Sequence, residues 1–189
     1  MKKTLLLITI AAATFTFGCA KKSATAEHNP TENAAAAAPV QADSVKSVVR
    51  SIPANVSGAD ILTTIAGNYK GKVVLFDFWA TWCGPCRMAM KQIDDIKPEL
   101  AKKGCVFVYV AGENSPEETW NKMIAGIEGE HYRLTDKQWG ELCRHLNIPG
   151  IPAYLLLGKD GKRAYDNLSQ GGYPGSEILK NNIEVALTK

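Results

Sequence analysis

The chain has 189 residues, enough for one globular domain with an extension and too few for two ordinary domains. Hydrophobic residues make up 46% of the chain and charged residues 22%, a balance that excludes wholesale disorder. The 22 basic and 19 acidic side chains give a formal net charge of +3, so charge provides no reason to expect nucleic acid as a partner.

The N-terminal segment has the pattern of an export signal. Two lysines are followed by an uncharged apolar stretch, which is too short to indicate a membrane span. The stretch ends in TFGC at residues 16–19, which resembles a bacterial lipoprotein signal, where the cysteine is acylated and becomes the new N-terminus. We therefore expect residues 1–19 to be a lipoprotein-type signal ending at Cys19. Simple secretion and an uncleaved anchor are the alternatives, because Phe17 stands where such signals carry a small residue.

Residues 20–45 are of low complexity and include a run of alanines at 34–38. Such a segment lacks the large apolar side chains that build a core, and the alanine run is too short to persist as an isolated helix. We expect a flexible tether over residues 20–45 and a globular domain over residues 46–189.

From residue 46 onward the hydrophobic pattern alternates between helix and strand. The predicted elements are a helix at 59–66, a strand at 72–79, one long helix at 85–102, a strand at 105–111, helices at 116–127 and 135–146, strands at 153–157 and 163–165, and a helix at 175–187. Ser115 is predicted to cap the helix at 116–127, and Asp160-Gly161 is a strong hairpin signal between the last two strands. This order predicts an α/β domain with three α/β/α layers and a mixed sheet, ending in an antiparallel hairpin and a C-terminal helix.

The cysteines have separate roles in this interpretation. Cys19 is assigned to the lipid, Cys83 and Cys86 form a C-x-x-C pair, and Cys105 and Cys143 are isolated. Cys105 opens an apolar run and Cys143 lies on the apolar side of a predicted helix, so both are interpreted as small buried hydrophobes without chemistry.

The pair Cys83-Gly84-Pro85-Cys86 follows a buried strand and opens a predicted helix. Backbone N–H groups and the helix dipole at this position favour the thiolate of Cys83. Cys86, one turn later, is placed to attack a mixed disulfide formed at Cys83. Pro85 fits the first helical turn, where its missing N–H costs little. We therefore predict that Cys83 is the nucleophile and Cys86 the resolving thiol.

Two other interpretations of this pair stay open. The pair could complete a zinc site with Cys143 and His145, although the helical period turns Cys143 toward the core. An inert structural disulfide is also conceivable, although so short a loop gains little stability from closure. We predict no metal and no bound cofactor other than the redox-active disulfide itself.

Residues 74–87, VLFDFWATWCGPCR, resemble the active-site segment of the thioredoxin superfamily almost residue for residue. Residues 69–72 (YKGK) and 147–153 (NIPGIPA) are similar to exported, membrane-attached proteins of the TlpA/ResA type. The resemblance covers most of residues 45–189. It implies a thioredoxin fold and a protein-disulfide oxidoreductase activity.

The resemblance also implies roles for further residues. Asp77 matches a buried carboxylate that exchanges protons with Cys86. Pro152 matches a cis-proline that faces the cysteine pair and leaves the backbone of Ile151 free to pair with a client strand. Trp82 is expected to flank Cys83, with Gly84 and Pro85, on the surface that contacts clients, whereas Trp79 is expected in the core.

Three positions depart from the pattern of the relatives. Tyr109 stands where thioredoxin has a lysine near the buried acid, and Ala89 stands where many TlpA/ResA-like proteins have a glutamate. Lys91 replaces the proline that usually kinks the active-site helix. Proton handling is therefore expected to rest on Asp77.

Taken together, these features favour an enzyme that reduces protein disulfides outside the cytoplasm. The Gly-Pro spacer resembles that of thioredoxin, whose reduction potential is about −270 mV. The resemblance implies a membrane electron donor of the DsbD or CcdA type, clients such as apocytochromes c, and a lipid anchor that holds the domain at the periplasmic or external face of a membrane. We expect a monomer. The alternatives are a disulfide oxidant or isomerase and a redox-inert binding module, against which the intact Cys83 and Cys86 argue.

Overall fold

A six-stranded mixed sheet organises the domain in the computed structural model, which describes residues 46–189. The predicted signal at 1–19 and the predicted tether at 20–45 lie outside the described residues. The elements in chain order are β1 (Ser47–Arg50), α1 (Gly58–Ala66), β2 (Val73–Phe78), α2 (Gly84–Asp94), α3 (Lys97–Lys102), β3 (Cys105–Gly112), α4 (Glu117–Ile124), β4 (Gly129–Leu134), α5 (Asp136–His145), β5 (Ala153–Leu157), β6 (Arg163–Asp166) and α6 (Ser176–Thr188).

The strands lie in the order β1-β4-β3-β2-β5-β6. The first four are parallel, whereas β5 is antiparallel to β2 and β6 is antiparallel to β5. Side chains of a strand alternate between the two faces of a sheet, and β2 shows this directly. Val73 and Leu75 pack with α2, α3, α4 and α6, whereas the alternate residues of β2 pack with α1 and α5. The predicted three-layer α/β/α class, the terminal hairpin and the C-terminal helix are confirmed.

The predicted single helix over 85–102 is wrong, because the structure has two helices there. α2 ends at Asp94 and α3 begins at Lys97, with Pro98 in its first turn. Proline has no N–H to donate to the carbonyl four residues earlier, and its ring clashes with that carbonyl. For Pro98 that carbonyl belongs to Asp94, so the first helix stops there.

Ser115 is not the cap of α4, contrary to the prediction. Pro116 occupies the N-cap position and provides no side-chain hydrogen bond to the helix. The Ser115 hydroxyl instead accepts a hydrogen bond from the backbone N–H of Thr81, at 3.1 Å. The hydroxyl of a serine that precedes a helix can bond to another backbone N–H instead of capping that helix.

Two strands have no counterpart among the predicted elements. β4 carries Glu130, His131 and Arg133, so its sequence lacks the apolar run of a central strand, yet it lies between β1 and β3. β1 is only four residues long and pairs with β4 at the edge of the sheet. Both strands are stabilised by pairing with a neighbouring strand rather than by a local sequence pattern.

Within residues 46–189, none of the helices has the length and apolar content needed to cross a bilayer.

Candidate active site

Cys83 and Cys86 form a disulfide at the N-terminus of α2, with a Cα–Cα distance of 5.3 Å. Cys83 is the N-cap residue, and its sulfur accepts a hydrogen bond from the backbone N–H of Cys86 at 3.2 Å. Pro85 lies in the first turn, where a missing N–H leaves no intrahelical bond unmade. The same N–H group and the positive end of the helix dipole would stabilise a thiolate at Cys83 once the disulfide is reduced.

The segment before β5 lies directly against this disulfide. The Ile151–Pro152 peptide bond is cis, as the resemblance implied. The carbonyl oxygen of Ile151 is 3.8 Å from the Cys83 sulfur, whereas the Pro152 carbonyl accepts a hydrogen bond from the backbone N–H of Gly172. Within residues 46–189, no backbone partner is found for the N–H or the carbonyl of Ile151. Its backbone is therefore free to pair with an incoming strand beside the sulfur.

Apolar side chains are exposed around the disulfide, next to the exposed Arg87 and Lys91. The side chain of Trp82 is 61% exposed although Cys83 next to it is buried, and Pro85 is exposed as well. Met88 fits the apolar period of the predicted helix, but it is 62% exposed and lies one turn beyond Gly84. An exposed tryptophan and methionine beside a reactive group are typical of a contact surface for varied partners.

Asp77 lies in the interior, on the face of β2 that also carries Val73 and Leu75, whose core cluster includes both cysteines of the disulfide. Its side chain is buried, and neither carboxyl oxygen has a hydrogen-bond partner in the described part of the chain. Burial raises the pKa of Asp77 to about 8, and the charge of Lys97 opposes this rise. Tyr109 on β3 and Tyr154 on β5 are the register neighbours of Asp77.

Lys97 is a residue of this site that the sequence analysis did not single out. It is only 3% exposed, and its ammonium lies 2.6 Å from Asp94 Oδ1 and 5.2 Å from the centre of the Tyr109 ring. A lysine at helical spacing is normally assigned to solvent, so the position of this charge becomes visible only once α3 packs against β3. One sequence feature could have pointed to this buried charge: Lys97 immediately precedes Pro98, the proline that breaks the helix.

Ser115 is a second residue that the sequence analysis did not place in the site. It is fully buried, and its hydroxyl holds the backbone of Thr81, two residues before Cys83. Its carbonyl accepts a hydrogen bond from Arg133 Nε at 2.9 Å. The segment between β3 and β4 therefore braces the active-site turn through Thr81.

The two isolated cysteines lie in apolar surroundings. Burial raises the pKa of Cys105 to about 12 and that of Cys143 to about 11, so both stay protonated at neutral pH. Cys105 is buried as predicted, whereas the prediction of a buried Cys143 is wrong, because that side chain packs at the margin of the core and stays partly exposed. The described residues include no group of three or more His, Cys, Asp or Glu side chains placed to hold a metal ion.

Comparison with known proteins shows what the chain is similar to. The pattern of a family described as Thioredoxin-like matches residues 71–163. A protein of Oryza sativa subsp. japonica named "Probable nucleoredoxin 3" is 32% identical over 71% of this chain, and the match spans 30% of that protein. The thiol-disulfide oxidoreductase ResA of Bacillus thuringiensis subsp. konkukian is 27% identical over 50% of this chain and 54% of its own length. The chain thus spans about half or less of these curated relatives.

Solved structures agree with the sequence comparison. The solution structure of a thiol:disulfide interchange protein from Bacteroides sp. has a TM-score of 0.55 and 25% identity to this chain. The match covers 65% of this chain and 77% of that one. The fold, the family match and the cysteine pair together place the chain in the thioredoxin superfamily. Within that superfamily it is similar to the ResA-type thiol-disulfide oxidoreductases, as residues 74–87 and 147–153 indicated.

Proposed function

We propose that the chain is a thiol-disulfide oxidoreductase that reduces protein disulfides outside the cytoplasm. The observation that carries the proposal is the position of the Cys83–Cys86 disulfide, at a helix N-terminus and in contact with the free backbone of Ile151. After reduction, the Cys83 sulfur would be stabilised as a thiolate, and a client strand that pairs with Ile151 would lie within reach of it.

The reaction proceeds in two exchange steps. In the reduced protein, the Cys83 thiolate attacks one sulfur of a client disulfide, and the other client sulfur leaves as a thiolate. Cys86 then loses its proton and attacks the Cys83 sulfur of the mixed disulfide. The second client thiolate leaves, and the Cys83–Cys86 disulfide forms again. Two electrons have passed from the protein to the client, and the protein must be reduced before the next cycle.

Asp77 is the group proposed to take the proton of Cys86 in the second step. Its pKa of about 8 keeps both the acid and the carboxylate populated near neutral pH, as a group that gives and accepts a proton requires. Trp82, Gly84, Pro85, Ile151 and Pro152 form the proposed client surface. Trp82 supplies apolar contact, and Ile151 supplies backbone hydrogen bonds beside the reacting sulfur.

The proposed setting of the reaction is the cell envelope. Cys19 would carry a lipid anchor after removal of residues 1–18, and residues 20–45 would let the domain reach clients at the periplasmic or external face of the membrane. An oxidising compartment does not reduce the protein by itself, so electrons would come from a membrane donor of the DsbD or CcdA type. Proposed clients are proteins with disulfides, apocytochromes c among them, and a monomer without metal or further cofactor suffices for the exchange.

Insulin reduction with dithiothreitol as electron source tests the activity. We expect Cys83→Ser to abolish it and Cys86→Ser to accumulate mixed disulfides that a reducing agent releases. Cys143→Ser is the matched control, because that thiol lies outside the site. Normal activity of Cys83→Ser would refute the mechanism.

The reduction potential decides the direction of electron flow. A reduction potential of about −270 mV supports a reductant, whereas a potential of about −120 mV, typical of DsbA, would identify an oxidant.

The proposed lipid anchor is tested by metabolic labelling. Cells fed a labelled fatty acid should label the wild-type chain and not the variant Cys19→Ala. Equal labelling of both would refute lipidation at Cys19.

A further inference from the structure

The ammonium group of Lys97 is buried, and its one ion pair does not explain why. Lysine is almost never fully buried, because removing its charge from water is costly unless a partner compensates. Lys97 is 3% exposed, and its only hydrogen-bond partner in the described part of the chain is Asp94, whose side chain is half exposed. An ion pair with Asp94 alone could form on the surface at lower cost.

The packing of α3 places this charge beside Asp77. The Lys97 ammonium lies over the Tyr109 ring, 5.2 Å from its centre, and 5.9 Å from the centre of the Phe107 ring. Tyr109 is the register neighbour of Asp77 on the adjacent parallel strand, so the two side chains stand on the same face of the sheet. Tyr109 is therefore the neighbour of both the cation and the acid.

The other polar groups packed around Asp77 supply no second cation in the part of the chain that the structure describes. Tyr109 from β3 and Tyr154 from β5 are the register neighbours of Asp77, Tyr173 from the segment before α6 packs against Tyr154, and Cys86 from α2 belongs to the core cluster on the same face of the sheet. Further out, His131 from β4 stacks on Tyr109, and the acids whose charges act on Tyr109 include Asp94 from α2 and Glu128 from the segment before β4. Burial raises the pKa of each of the three tyrosines and lowers the pKa of His131, so these groups are uncharged near neutral pH. The carboxylate form of Asp77 also lacks a hydrogen bond within these residues, so its stabilisation comes through space.

We propose that Lys97 is a positioning residue of the exchange reaction, whose ammonium, held by Asp94, stabilises the Asp77 carboxylate that accepts the proton of Cys86. The catalytic part of this inference rests on the proposed function, whereas the electrostatic part does not. Because α3 starts at Lys97, the break in the helix at Asp94 is what brings the charge to the sheet. Lys97 thus provides a positive charge near the acid from a helix, although the aligned strand position holds Tyr109.

The electrostatic part is tested on the oxidised protein, where no catalysis is needed. Carbon-13 NMR of the Asp77 carboxyl group reports its titration midpoint directly. We expect Lys97→Met to raise this midpoint by about one pH unit, because loss of a nearby opposite charge disfavours the ionised carboxylate by that order. Lys97→Arg keeps the charge and should shift the midpoint less. Lys103→Met is the control from the opposite end of α3, because Lys103 is exposed and pairs with Glu99 and Glu184.

A second neutral variant guards against a folding defect. Lys97→Gln keeps a polar group for Asp94 and should raise the midpoint in the same direction as Lys97→Met. An unchanged midpoint in either neutral variant, with a native circular dichroism spectrum, would overturn the proposal.

The catalytic part is tested by the pH profile of mixed-disulfide resolution. At a pH below the midpoint, raising the midpoint by one pH unit lowers the ionised fraction of Asp77 about tenfold, so resolution at pH 7 should be about tenfold slower in Lys97→Met. In an Asp77→Asn background, Lys97→Met should cause no further slowing. Equal slowing in both backgrounds would show that Lys97 does not act through Asp77. If the wild-type protein fails to reduce insulin, the proposed function fails, and the NMR titration still decides the electrostatic part.

Discussion

Replacing Asp77 by asparagine should stabilise the oxidised protein, and by more at higher pH. The physical reason is that a buried carboxyl group without a hydrogen-bond partner resists ionisation. Its pKa is about 8 in the folded protein against the ordinary value of 3.8. Folding therefore raises the affinity of this group for its proton, and any pH that ionises the unfolded chain more than the folded one favours unfolding.

The direction and size follow from these two values. Below pH 3.8 the carboxyl group is protonated in both states and costs nothing. As the pH rises from 3.8 to about 8, the unfolded chain ionises and the folded protein does not, so the free energy of unfolding falls. The loss amounts to about 2 kcal/mol at pH 5, about 4 kcal/mol at pH 7 and about 6 kcal/mol above pH 9.

The asparagine amide does not titrate, so the free-energy cost of burying it is the same at every pH. The difference in unfolding free energy between Asp77→Asn and the wild type should therefore grow by about 4 kcal/mol between pH 5 and pH 9. Guanidinium denaturation of the oxidised proteins across this range measures the difference, and titrations shared by both proteins cancel. The control is Asp95→Asn, which alters an exposed acid after α2 and should give a curve parallel to that of the wild type. A difference for Asp77→Asn that does not change with pH would refute the reasoning.

Three further predictions concern other parts of the site and fold. Gly58→Ala should destabilise the protein by about 2 kcal/mol in denaturant titrations, because the new Cβ would lie 2.3 to 2.8 Å from the side chain and backbone of Glu141 in α5. Gly67→Ala is the control and should leave stability nearly unchanged, because the space around that glycine is open. Trp82→Ala should lower kcat/KM for a protein disulfide and leave the rate with a small disulfide unchanged, because the exposed Trp82 side chain is expected to contact a protein substrate but not a small one. Equal losses for both substrates would contradict this. Ser115→Ala should cost about 1 to 3 kcal/mol of stability, because it leaves the buried N–H of Thr81 unpaired, and hydrogen exchange at that amide should become faster; unchanged exchange would count against the brace.

The features that sequence predicted well are those whose signal is local. The apolar runs of β2 and β3 carry enough hydrophobic residues to indicate buried strands by themselves. The C-x-x-C pair directly follows β2, so its position at a helix N-terminus could be predicted from neighbouring residues. The hairpin between β5 and β6 was predicted from a two-residue turn signal.

Other features were missed because their cause is distant in the chain. β4 has a polar sequence and is a strand because β1 and β3 pair with its two edges. Ser115 looks like a helix cap, yet its hydroxyl bonds to Thr81, which lies 34 residues earlier in the chain. Met88 fits the apolar pattern of its helix but faces solvent beside the disulfide.

The sequence by itself therefore predicted the fold class and the cysteine pair at a helix N-terminus, because each depends on hydrophobic period or on residues close together in the chain. The role of Asp77 as the acid was implied by the resemblance. The tertiary structure alone decided the electrostatic environment of that acid. The charge of Lys97 acts on Asp77 only because Pro98 breaks the helix and α3 then packs its first residue over Tyr109. Coulomb interactions depend on distance and burial in the folded protein, and neither can be read from residue types along a chain.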